Sequence, residues 1–161
     1  DDRLIQEGFL SRYKVLVFVW GDFIERVTLE AIDRWLRRGG VIIFPYFLNM
    51  RLATVEDDTR VFDRWMNGDI DDGKFFRYVG DDEPPSSYAE YVRKTLESLS
   101  VISDTTRIAL QVQKPDRIFV SARHDNTLWV LNFSDELETL QHPRIGVFRL
   151  EPYTFRRVSI R

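Results

Sequence analysis

The sequence predicts a three-layer α/β/α unit on a short parallel sheet, followed by a small antiparallel β appendage. Three observations carry this reading. Continuous apolar runs at residues 13–20 and 41–44 have the composition of strands covered on both faces. The segments that follow these runs repeat apolar residues at helical spacing. After Ser103 the period changes from helical to alternating, as in half-buried strands. The expected organisation is an α/β domain over residues 1–103 and an antiparallel β-domain over residues 104–161.

The first strand is Tyr13-Lys14-Val15-Leu16-Val17-Phe18-Val19-Trp20, ended by Gly21-Asp22. Thr28 is placed to cap a helix over 28–38, with Glu30 near its positive end and Arg34, Arg37 and Arg38 near its negative end. Leu29, Ile32 and Leu36 form its buried stripe, and Gly39-Gly40 supplies a left-handed stop before the second strand, Val41-Ile42-Ile43-Phe44. That completes a βαβ unit. A second helix is expected over 55–66, with Asp57 and Asp58 near its start and Val55, Phe62 and Trp65 or Met66 facing inward. The turns Asn67-Gly68 and Asp72-Gly73 lead into a third strand, Lys74-Phe75-Phe76-Arg77-Tyr78-Val79, ended by Gly80. Pro84-Pro85 breaks the chain, and Ser87 with Glu90 has the spacing of a capping box for a helix to Leu99. Tyr88, Val92, Leu96 and Leu99 of that helix are spaced to face a sheet. Strands are expected at 107–113, 117–123, 127–133, 144–150 and 154–160, the second and third joined as a hairpin through His124-Asp125-Asn126. About sixty residues of β-structure bury too little alone, so this part is expected to pack on other protein.

Composition narrows the function. A chain of 161 residues supports a real core, and 43% hydrophobic with 30% charged residues is ordinary for a folded protein. With 23 basic against 26 acidic residues there is no cationic excess to neutralise a phosphate backbone, so nucleic acid is not an expected partner. The apolar stretches at 15–20 and 41–48 are too short to cross a bilayer, and a membrane is not an expected partner either. The absence of cysteine removes disulfides, thiolate nucleophiles and cysteine-containing metal sites, and no cofactor is expected. It leaves the redox compartment open, and the location expected, on slight grounds, is cytoplasmic. The chain opens on Asp1-Asp2 without an initiator Met and stops inside a strand-like run, from which it is expected to be part of something longer.

In an open parallel sheet, ligands bind beyond the carboxyl ends of the strands. The places to look are therefore Trp20-Gly21-Asp22, Pro45-Tyr46-Phe47 and Gly80-Asp81-Asp82. Residues 39–53 contain no Ser, Cys or Thr for a nucleophile elbow, and His124 and His142 read as loop residues. Asp22 with Glu25, or Asp81 with Asp82 and Glu83, has the residue types of an acid/base pair or a hard-metal site, although charge runs in turns are usually just solvated. Neither G-x-x-x-x-G-K-[ST] nor G-x-G-x-x-G occurs. Trp20, Tyr46 and Phe47, with Asp22 beside them, are the candidates to meet a carbohydrate, since flat apolar sugar faces suit aromatic rings. Among four tryptophans, six tyrosines and twelve phenylalanines, packing in a core or interface is the competing and favoured reading.

The succession Leu10-x-x-Tyr13-Lys14-Val15-Leu16-Val17, Val27-Thr28-x-Glu30-Ala31 and Trp35-Leu36-x-x-Gly39-Gly40-Val41-Ile42-Ile43 resembles the class I glutamine-amidotransferase-like domain of bacterial glycoside hydrolases, of the β-galactosidase trimerisation type. Gly73-Lys74-Phe75-Phe76-Arg77-Tyr78-Val79-Gly80 is similar to a strand of that family, and Trp129-Val130-Leu131-Asn132-Phe133-Ser134 is similar to the "VLNFS" of the small β-domain that closes such enzymes. The resemblance spans nearly the whole chain. It implies a flavodoxin- or GATase-like fold and a non-catalytic module, serving as scaffold and subunit contact, that follows a (β/α)₈ barrel holding two glutamate catalysts. None of those barrel residues can be placed here. Where true amidotransferases carry a nucleophilic Cys after this strand, the chain has Phe44-Pro45-Tyr46. The family's first strand and helix, ahead of Leu10, are missing, so the α/β unit reads as incomplete at its start. An exposed sheet edge of that kind needs a cover. The missing segment, the preceding barrel and a homo-oligomer mate are the partners that would supply one, beside a carbohydrate ligand. The rival expectation is a small stand-alone carbohydrate-active hydrolase using carboxylates at strand ends.

Overall fold

The computed structural model describes residues 2–19, 23–45, 51–52, 60–79 and 85–161. The chain forms two compact units, residues 1–95 and 96–161.

In the first unit, a short helix α1 (Asp2–Gln6) and a single 3₁₀ turn (Phe9–Arg12) precede β1 (Val15–Val17). The two-residue strand β2 (Phe23–Ile24) leads into α2 (Arg26–Arg37), and β3 (Val41–Pro45) follows. Then come β4 (Arg51–Leu52), α3 (Arg60–Met66), β5 (Lys74–Tyr78) and α4 (Pro85–Ser98), whose last three residues fall in the second unit. The main sheet is parallel in the order β1-β3-β5, with Val15 opposite Val41 and Val41 opposite Lys74, and β2 pairs with β4. A parallel sheet flanked by helices is the α/β fold that the sequence predicts.

The central strand β3 is buried along its whole length, as expected of a run without a polar face. β1 has an equally apolar sequence but only intermediate burial, because it stands at the end of the strand order. Ile42 and Phe44 of β3 pack with Leu29, Ile32 and Leu36 of α2 and Trp65 of α3 in one core. The stripe read on α2 is thus the buried one. Gly39 at φ 90° ends that helix, a left-handed conformation in which a Cβ is strained. Gly40 is required for a different reason: a Cβ there would meet the Trp35 indole at 2.7 Å.

Two helix starts differ from expectation. α2 begins at Arg26, with extended Glu25 before it, because Leu29 N already donates to Glu25 O at 2.9 Å. Thr28 is therefore a fully buried residue of the first turn and not a cap. α4 begins at Pro85, a residue whose missing N–H and fixed φ suit a first turn. Ser87 consequently lies inside the helix, and Glu90 bonds Arg93 instead of closing a capping box. In α3, Trp65 is the inward residue and Met66 is exposed, while Val55, Asp57 and Asp58 lie outside the described residues.

The second unit opens with a helix. The segment expected as a strand at 107–113 is largely α5 (Asp104–Gln111). Ser103 Oγ accepts from Thr106 N at 3.1 Å, and Thr105, Ile108 and Val112 bury at helical spacing. The residues alternate in sequence as well, and the cap decides between the two periods. The rest is antiparallel: β6 (Ile118–Ala122), β7 (Thr127–Asn132), β8 (Glu138–His142), β9 (Gly146–Leu150) and β10 (Phe155–Ser159). Sheet order is β10-β7-β6, with β8 and β9 forming a separate hairpin. The β6–β7 hairpin forms as read, with Asn126 in its turn at φ 56°. β8 was not expected, since Glu138-Thr139-Leu140-Gln141-His142 buries only Leu140 fully.

A polar hub holds the end of β7. Asn132 is fully buried, and its Nδ2 donates to the carbonyls of Glu136 at 2.8 Å, Glu151 at 3.1 Å and Leu150 at 3.3 Å. Its Oδ1 accepts from Ser134 N at 3.0 Å and Ser134 Oγ at 2.8 Å. The Asn and Ser of the "VLNFS"-like segment are therefore the two side chains that satisfy the turn following β7.

Candidate site at the carboxyl edge of the parallel sheet

The three strands end at Val17, Pro45 and Tyr78. Trp20, Asp22, Tyr46 and Phe47, the residues expected to meet a sugar, lie outside the described residues, as do Asp81, Asp82 and Glu83. What is described at this edge is a tyrosine cluster. The Tyr78 ring lies 5.6 Å from that of Tyr88 and 5.2 Å from that of Tyr91. Tyr88 and Tyr91 are three apart and so share a face of α4. The Tyr88 hydroxyl donates to Phe18 O at 2.6 Å, with Ile43 O at 3.3 Å, and the Tyr91 hydroxyl donates to Arg77 O at 3.1 Å.

These bonds tie α4 to carbonyls of β3 and β5 and to the residue after β1. Burial pushes the Tyr88 phenol up, with the neighbouring Tyr91 adding to the effect, so it remains a neutral donor and offers no phenolate. The sequence placed Tyr88 on the sheet-facing side of its helix but did not single out the cluster. A strand ending in Tyr and a following helix with Tyr at i and i+3 was the available signal.

Glu25, the other half of the expected carboxylate pair, accepts from Gln6 Nε2 at 2.9 Å, and the same amide donates to Thr28 Oγ1 at 2.8 Å. It ties α1 to the start of α2. A charge cluster surrounds Arg37, which bonds Asp71 at 2.9 Å, Asp33 at 3.2 Å and Asp69 at 3.4 Å. The Asp71 bond, joined by those to Asp33 and Asp69, holds the guanidinium above its usual range. Asp33 also accepts from Trp65 Nε1 at 2.8 Å and Arg64 Nη2 at 3.1 Å. This network joins α2 to α3 and to the turn before β5, with every partner an ordinary structural one. His142 Nδ1 accepts from Arg144 N at 3.1 Å, a turn bond, and His124 is exposed in the hairpin turn. Among the described residues, no group of three or more His, Asp or Glu side chains is placed to hold a metal ion, and no helix is long and apolar enough to cross a membrane.

The second unit carries a different kind of surface. Along β7, Leu128, Val130 and Asn132 point inward, while Trp129 and Leu131 belong to the opposite face. Register places Phe119, Leu131 and Phe155 in one row across the sheet and Ser121, Trp129 and Arg157 in the next. Phe119, Phe155 and Trp129 are 56%, 57% and 39% exposed. Trp129 and Phe155 meet edge to face at 5.1 Å, and the Arg123 guanidinium lies 4.3 Å from the Trp129 ring centre. Phe133 and Tyr153 form a second exposed edge-to-face pair at 6.2 Å.

No protein-family model matches the chain, and no curated protein matches it. Solved structures do. The fold is similar over 97% of this chain to 33% of the chain of Gan42B, a GH42 beta-galactosidase, with a TM-score of 0.62 at 13% identity. A catalytic mutant of Gan42B from G. stearothermophilus is similar over 94% of this chain and 32% of its own, with a TM-score of 0.58 at 13% identity. The chain thus spans about a third of the length of these proteins, and at this identity the likeness is one of fold.

Proposed function

We propose that the chain is a non-catalytic structural and oligomerisation module of a glycoside hydrolase, its first unit of the glutamine-amidotransferase-like, β-galactosidase trimerisation type. The observation that carries this reading is the fold likeness of 97% of the chain to a third of a GH42 beta-galactosidase. The carboxyl edge supports it, because the Tyr88 and Tyr91 hydroxyls described there are spent on backbone carbonyls. The exposed aromatic side chains of the second unit, Phe119, Phe155 and Trp129, support the contact role, because apolar side chains gathered on one sheet face are characteristic of protein contacts. The occupant we assign to that face is a second copy of the chain, which brings the same Phe119–Leu131–Phe155 row and allows a closed, self-complementary contact. The same reading keeps Trp20, Asp22, Tyr46 and Phe47 as the residues that a carbohydrate meets.

Turnover tests the non-catalytic half. The chain is expected to leave a panel of chromogenic galactosides, glucosides and esters unhydrolysed. Hydrolysis that disappears in Asp22→Asn overturns the reading in favour of a small carboxylate hydrolase. Titration of galactose followed by tryptophan fluorescence, repeated with Trp20→Phe, tests the carbohydrate contact, and an unchanged response in the variant removes Trp20 from it.

A further inference from the structure

A cavity of about 300 Å³ opens within the first unit at the amino-terminal side of the sheet, away from the strand ends discussed above. Tyr13 and Lys14 before β1, Arg34, Trp35 and Arg38 at the end of α2, and Gln6 of α1 line it, together with glycine backbone. We propose that this cavity binds an anionic sugar, a hexose ring carrying a carboxylate or a phosphate group.

Charge is the first argument. Three cations line the cavity and no Asp or Glu does. Lys14 and Arg38 have no carboxylate within ion-pair distance among the described residues, and Arg34 has only an exposed pair with Glu30 at 4.0 Å, a geometry that contributes little. The contrast with the adjacent Arg37, which bonds three carboxylates, is direct: α2 sends one arginine into a neutralising network and leaves Arg34 and Arg38 uncompensated at the cavity. Cations at a helix C-terminus are also favoured by the helix dipole. That effect does not account for Lys14, which comes from the chain before β1.

Shape is the second argument. Two aromatic side chains line the same space, and flat apolar surface is what the C–H face of a sugar ring meets. Trp35 is fixed in advance: its indole lies against Gly40, and its Nε1 donates to Tyr13 O at 3.2 Å. Both amide hydrogens of Gln6 are spent on Glu25 and Thr28, which leaves the amide oxygen as the acceptor for a sugar hydroxyl. A concave, positively charged site concentrates anions, and arginine forks suit carboxylate and phosphate alike.

Calorimetric titration of the chain with galacturonate, galactose 6-phosphate, galactose and inorganic phosphate tests the proposal. At least one of the two anionic sugars is expected to bind saturably, at least tenfold tighter than both galactose and inorganic phosphate, and which one does so identifies the anion. Lys14→Ala with Arg38→Ala is expected to weaken that binding at least tenfold without changing the thermal melt. Should the double variant melt early, Arg38→Gln alone is expected to weaken binding, and raising NaCl from 0.1 to 0.5 M is expected to weaken it in the unaltered chain. No binding by either anionic sugar, equal binding of galactose, equal binding of inorganic phosphate, or binding indifferent to these variants and to salt overturns the proposal.

Discussion

The two units bury similar cores but secure them differently. In residues 1–95 the central strand β3 is covered on both faces, and polar contacts fasten helices to the sheet and to each other: Tyr88 and Tyr91 to strand carbonyls, Asp33 to Trp65, Arg64 and Arg37. In residues 96–161 each strand of the three-stranded sheet has one inward row, Asn132 and Ser134 satisfy the turn after β7, and Phe119, Trp129 and Phe155 stand on the outward face. The lesson is that aromatic content means different things in the two units. Tyr78, Tyr88 and Trp65 of the first are buried and hydrogen-bonded or packed, whereas Phe119, Trp129 and Phe155 of the second face outward.

The largest effect expected from breaking this contrast is at the inward row. Leu128→Ala removes a fully buried side chain and is expected to cost about 2–5 kcal/mol, whereas Phe155→Ala, across the same sheet, is expected to cost no more than about 1.5 kcal/mol at a dilution where the chain is monomeric, through the lost edge contact with Trp129. Denaturant unfolding of the two variants measures the difference. Asn132→Ala follows, because it strands three carbonyls and Ser134 in a buried turn; a loss of about 2–3 kcal/mol is expected. Tyr88→Phe removes one hydroxyl shared by two carbonyls and is expected to cost about 1–2 kcal/mol, with amide exchange near Phe18 and Ile43 accelerating.

The smallest effect is electrostatic. The Arg93 hydrogen bond, aided by Lys94, pulls the Glu90 carboxyl to about 2, below its ordinary value of 4.5. Its folded value is the lower one, so its contribution to stability is present above about pH 4.5 and is lost as pH falls towards 2. Asp125 in the hairpin turn is also lowered, first by the Thr127 hydroxyl and then by the charge of Arg157. Carboxylate titration by NMR in 1 M NaCl is expected to return Glu90 towards its ordinary value, since its partners are exposed charges, while Asp125 keeps most of its shift through the neutral hydroxyl.

The α/β half was legible because its period signals do not compete. Val41-Ile42-Ile43-Phe44 has no polar face, α2 has a clear stripe, and Gly39-Gly40 separates them. The failures occur where two local signals fit the same residues. At 104–112 apolar residues satisfy both alternation and a helical stripe, and only the Ser103 cap distinguishes them. Thr28 and Ser87 have cap chemistry, yet Glu25 and Pro85 start their helices earlier. β8 was invisible because one buried Leu140 makes no pattern. The tyrosine cluster depends on three residues meeting across a strand and a helix, and the cavity at Lys14 and Arg38 depends on knowing which cations Asp33, Asp69 and Asp71 neutralise. Neither is a local property of sequence.

Sedimentation equilibrium of the chain over a hundredfold range of concentration, beside the double variant Trp129→Ser with Phe155→Ser, tests most directly whether the second unit's outward rows are a contact surface. The account predicts a concentration-dependent oligomer for the unaltered chain and a monomer of unchanged fold for the variant. A monomer at every concentration, or an oligomer indifferent to the two substitutions, contradicts it.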